Sequence, residues 1–141
     1  MASLVLTGDT SGQVTISAPA VAGTTALTLQ AVTGTMALQN DVIGINQTWT
    51  DVKTTPGRVF GTTYTNTTGR PIWVTASGTN TGTTAGLQMT VGGLQVFNHG
   101  DSDGGMNNGN YFCVTGLVPA GSTYVVTANG SLTISTWVEL R

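Results

Sequence analysis

Gly8-Asp9-Thr10-Ser11-Gly12 has the composition found around a serine-hydrolase nucleophile. A seryl hydroxyl reacts only when a positioned base takes its proton, and the sole histidine, His99, lies far along the chain in a Gly/Asn-rich stretch. The string is therefore expected to be a turn. Asp101 and Asp103 alternate as in the opening of a calcium loop, but the downstream bidentate Glu is missing. Glycoside cleavage needs two carboxylates across a cleft. Of the six acids in the chain, only Asp101 and Asp103 are close in sequence, and adjacent loop positions are poorly placed to flank one bond. One His per chain can meet its symmetry mates only on an oligomer axis, and no second ligand lies near it, so a hydrogen-bonded His at a strand end is expected. The expectations are no catalytic residue, no metal site, no cofactor and no enzymatic activity.

Asn98 to Asn110 is the most distinctive stretch, long, polar and rich in glycine. Long loops within compact domains are disproportionately functional. His99, Asp101, Ser102, Asp103, Met106, Asn107, Asn108 and Asn110 are the candidate contact residues, with carboxylates and amides suited to directional bonds with sugar hydroxyls. A solvated loop without a partner is the bland alternative. Trp49, Trp73 and Trp137 invite a stacking role, but aromatics more often anchor subunit interfaces, and burial between subunits is expected for at least one. Arg70 is expected to cap the turn before Pro71 or to pair with Asp51 or Glu139. The sequons at Asn46, Asn66 and Asn129 are expected by chance in so Thr-rich a chain.

What must position these residues is β-structure. The 141 residues include 28 Thr and 20 Gly, and charged residues are 7%. Thr suits pleated strands, Gly supplies turns, and both are poor helix formers. Net charge is -2 with four scattered cations, so no stripe exists for a phosphate backbone and nucleic acid is excluded as an expected partner. No run of about 18 apolar residues suggests membrane insertion, and no leader pattern opens the chain. Cys113, the only cysteine, forbids an intrachain disulfide and is expected as a small buried hydrophobe.

Residues 1–45 carry short apolar bursts around residues 4–6, 14–16, 26–29 and 36–38. Strands this short do not stand alone, and wrapping several copies about one axis would bury them. From residue 46 to 141 the strands lengthen. Expected strands are 48–53, 58–66, 71–77, 85–91, 94–97, 111–115, 122–128 and 132–139, with hairpins at Gly92-Gly93 and Asn129-Gly130. Alternation places Leu132, Ile134 and Val138 on one face, opposite Trp137.

The strings Gly8-Asp9-Thr10-Ser11-Gly12, Val14-Thr15-Ile16, Ala18-Pro19-Ala20-Val21-Ala22-Gly23-Thr24-Thr25 and Leu27-Thr28-Leu29 resemble the segment before the terminal domain of many bacteriophage tail fibres. That family often has Pro where this chain has Gln30. Gln47-Thr48-Trp49, Tyr64-Thr65-Asn66-Thr67-Thr68-Gly69-Arg70-Pro71-Ile72, Val118-Pro119-Ala120-Gly121 and Trp137-Val138-Glu139-Leu140-Arg141 resemble phage fibre tips. The resemblance spans nearly the whole chain and implies a homotrimeric tip, made in the host cytoplasm and carried on the virion, that attaches to a host-surface glycan or protein. The expectation is thus all-β: an intertwined stalk over 1–45, then a jelly-roll-like antiparallel sandwich over 46–141 that binds the receptor. A fibre connector or knob without a host ligand is the competing expectation.

Overall fold

The computed structural model describes residues 3–17, 20–21, 23, 42–101 and 108–141. The chain divides into two compact units, Met1–Thr35 and Met36–Arg141. Among the described residues every regular element is a strand and every pairing is antiparallel. The strands expected at 26–29 and 36–38 lie outside the described residues.

In the first unit, β1 (Ser3–Thr7) pairs with β2 (Gln13–Ser17). Gly8 to Gly12 closes the hairpin, with the Gly8 N–H donating to the Gly12 carbonyl at 3.1 Å and Gly12 at φ +79°. The turn reading of this string therefore holds. The register sets Leu4 opposite Ile16 and Leu6 opposite Val14, so four aliphatic side chains share one face of the hairpin. All four are 45 to 62% exposed.

In the second unit, two long strands organise everything else. They are β5 (Ile72–Val91) and β8 (Thr123–Leu140). The first half of β5 pairs with β7 (Tyr111–Val118), and its second half with β6 (Leu94–Asp101). Along its other edge β5 pairs with β8 throughout. The far edge of β8 holds β3 (Trp49–Asp51) at one end and β4 (Thr63–Thr65) at the other. Both long strands fold back, so that the two halves of the sheet face each other. Tyr124 and Glu139, at opposite ends of β8, meet in a hydrogen bond, and a Cβ on Gly116 of β7 would lie 2.9 Å from the Met89 sulfur.

Irregularities in the ladder make the fold-back possible. Between Asn80 and Ala85 the β5 strand gains residues relative to β8, where Leu132 and Gly130 are the matching partners. Gly130 has φ +77°, and a Cβ there would sit 2.1 Å from the Thr84 carbonyl oxygen. Only glycine fits such a bulge. Buried Asn80 pins it: its amide bonds Gly82 in both directions, at 2.8 and 2.9 Å, and its own N–H donates to the Asn110 carbonyl at 2.8 Å. The Asn129-Gly130 hairpin expected from sequence is thus a bulge inside one continuous strand, because the backbone opposite it also continues. The Gly92-Gly93 hairpin is present, with φ of +57° and +85°, as a tight two-residue loop requires.

A second bulge corrects the expected alternation. Ser77 pairs with Thr136 but Gly78 pairs with Ile134, leaving Ser135 unmatched. The extra residue reverses the inward face, so Trp137 is fully buried in its own chain while Leu132 and Ile134 pack at the edge of the same core. Cys113 is exposed, against expectation: its neighbours Phe112 and Val114 take the inward positions of β7.

The core closes around a buried charge. Glu139 is fully buried and its carboxylate accepts from Arg58 at 3.0 and 3.3 Å, from Arg141 at 3.3 Å and from the Tyr124 hydroxyl. The Arg58 guanidinium also lies 4.1 Å above the Tyr64 ring. Burial, and then the hydrogen bond to Glu139, raise the Tyr124 pKa well above the ordinary phenol value. A raised folded value favours the neutral phenol, so this contribution is intact below about pH 10 and is lost as pH climbs through the folded value. The melting temperature is expected to fall on going from pH 9 to pH 11. Tyr124→Phe should flatten that decline in thermal melts at fixed salt; an unchanged slope would show that Tyr124 is not its source.

Candidate functional site

Outward positions on the two halves of the second unit differ in kind. On the half containing β3, β7 and the end of β8, the register aligns Trp49, Leu140, Trp73 and Leu117 across four strands. Trp49 is 55% and Leu117 42% exposed. Trp73 is held in place: its indole N–H donates to the Thr115 hydroxyl at 2.7 Å, and Thr115 also bonds Thr75 at 3.0 Å. Of the three tryptophans, then, two form an exposed row and the third fills the core.

The other half presents a polar notch beside the bulge. Its floor is made by Gly86, Gly100 and Gly130 on three adjacent strands, and its walls by Thr84, Asn98 and Asn129, around a volume of about 320 Å³. The pairing explains the floor. Gly86 lies opposite both Gly100 and Asn129, and a Cβ on Gly86 would come within 3.1 Å of the Gly100 backbone. Strands this close, with no side chains between, leave a depression flanked by two exposed amides.

None of the described residues expected at a contact loop is among those that line this notch. His99 lies in β6, where its Nδ1 accepts from the Cys113 N–H at 3.3 Å and its ring sits 5.1 Å from Phe112. It is a hydrogen-bonded strand residue, as the default reading had it. Asp101 ends β6 opposite Ala85. Asn108 and Asn110 are exposed, and the Gly109 N–H between them donates to the Asn80 carbonyl at 2.9 Å. Both ends of the stretch are thereby anchored at the bulge. Ser102, Asp103, Met106 and Asn107 lie outside the described residues. Sequence reasoning missed Asn129, Thr84 and Gly86, because it placed a hairpin where the bulge runs. The clustering of glycines at 82, 86, 100 and 130 was the available signal.

All four cations are engaged. Arg58 and Arg141 bind Glu139, the Lys53 Nζ donates to the Ser135 carbonyl at 3.1 Å, and Arg70 donates to the Ile45 and Asn46 carbonyls at 3.0 and 3.1 Å. The pairing of Arg70 with Asp51 or Glu139 is replaced by these backbone contacts, since Glu139 is already taken. Asn66 is buried with its amide nitrogen bonded to the Arg70, Val118 and Pro119 carbonyls; its sequon is a structural accident.

No family model matches the sequence. No curated protein matches it either.

Proposed function

We propose that this chain is the terminal tip of a bacteriophage tail fibre, a non-enzymatic homotrimer that attaches the virion to a host-surface receptor. The observation behind the reading is the hairpin face of Leu4, Leu6, Val14 and Ile16, all exposed. An isolated two-stranded hairpin is marginal in water, and an apolar face of this kind is stabilised by other copies packing on it, as in a fibre stalk. The exposed row of Trp49, Trp73 and Leu117 supports self-association further, since aromatics are the usual anchors of interfaces. A jelly-roll-like tip in three copies multiplies weak receptor contacts into avidity.

Light scattering of the full chain tests the assembly, with a mass three times the 14.4 kDa of one chain expected. A monomer would overturn it. Retention of the fluorescently labelled trimer on a panel of bacterial cells tests attachment. A trimer retained on none of them would favour a connector or knob without a host ligand.

A further inference from the structure

We propose that the notch bounded by Thr84, Asn98 and Asn129 is a binding site for a neutral carbohydrate. Three features of the notch point to that chemistry. Its walls offer amide and hydroxyl groups that both donate and accept, as sugar hydroxyls also do. Asn98 and Asn129 stand on the strands either side of β5, opposite Gln88 and Gly86, about 12 Å apart at ordinary strand spacing and rise, so a ligand on the glycine floor reaches both. The volume of about 320 Å³ sits at the small end of the ~300–1,000 Å³ typical of small-molecule sites, which suits one sugar residue.

Charge decides against an anionic ligand. Among the described residues none that lines the notch ionises, and each cation of the chain is spent on Glu139 or on a backbone carbonyl. A phosphate or carboxylate would enter without a counter-charge, whereas a neutral sugar needs none. The glycines also let a ring lie against the backbone, because any side chain at Gly86 or Gly130 would occupy the space or clash. The ligand class rests on the host-attachment reading for its biological meaning, while the binding itself stands apart from it.

The test is an array of neutral oligosaccharides of hexoses, 6-deoxyhexoses and N-acetylhexosamines, printed beside acidic ones and probed with the full chain. Retention on at least one neutral sugar is expected. The Asn98→Ala/Asn129→Ala variant should lose it at least tenfold at unchanged oligomer mass and melting temperature, both residues being exposed. Gln95→Ala, on the same sheet outside the notch, should bind as the parent does. Retention only on acidic sugars, or equal binding by the double variant, overturns the site and leaves host attachment standing. Retention on cells but on no sugar overturns it likewise, in favour of a protein receptor. Retention on neither overturns both.

Discussion

Replacing Glu139 by Gln is expected to cost about 3–5 kcal/mol of stability, the penalty of breaking a buried ion pair by removing one partner. The carboxylate is fully buried, and the Arg58 and Arg141 side chains that converge on it are only 12% and 27% exposed. Without its charge the two guanidiniums have no anion between them, and the amide NH2 that replaces one carboxylate oxygen turns a donor toward the arginine donors, leaving a single oxygen to accept from Tyr124. Burial also shields the network from salt, so raising ionic strength should not narrow the gap between parent and variant. Urea denaturation of both proteins at low and high salt measures it. A second variant separates the charge from the packing. Arg58→Met with Glu139→Leu removes an opposite pair together, and such apolar replacements are often neutral or stabilising. It should recover much of the loss, with Arg141 able to turn to solvent. If Glu139→Gln melts within 1 kcal/mol of the parent, the network is not holding the sheet halves together.

The all-β class was legible because Thr and Gly dominate and charge is scarce, and those quantities do not depend on register. The Gly92-Gly93 hairpin was legible because two consecutive positive φ angles can be read from two glycines. The course of β5 and β8 was not. Asn129-Gly130 has the same local signature as a hairpin, and whether the chain reverses there depends on what lies opposite. Residues 81–84 and the Asn80 amide supply the answer, and they are some fifty residues away in sequence. The polar notch follows from that bulge, so its walls stayed hidden with it. His99 and Asp101 were picked for their chemistry but alternate along β6 with the notch residues Asn98 and Gly100, and Asn98 and Asn129, which chemistry alone did not single out, are the side chains that flank it.

Trp137→Ala tests the other irregularity and is expected to cost about 3–5 kcal/mol, the usual range for truncating a buried Trp. Period-two alternation from Leu132 would put Trp137 on the outside, where truncation costs little. The unmatched Ser135 reverses the phase, and the indole lands in the core, 5.9 Å from the Phe60 ring and edge-on to Tyr64 at 6.1 Å. Trp137→Phe should cost distinctly less than Ala. The indole N–H is buried without an acceptor among the described residues, so losing it removes a desolvated donor and offsets part of the lost volume. Deleting Ser135 is the sharper experiment. Without the extra residue Thr136 follows Ile134 directly, so period two is restored and Ile134, Trp137 and Glu139 keep the inward face they share with Gly78 and Ala76; the variant is expected to keep Trp137 buried and to be more stable than Trp137→Ala. Tryptophan fluorescence checks it, since an indole turned outward would redden as it met water. A Ser135 deletion that reddens the emission would mean that the strand had slipped its register, and that Ser135 is not the extra residue that sets which face of β8 enters the core.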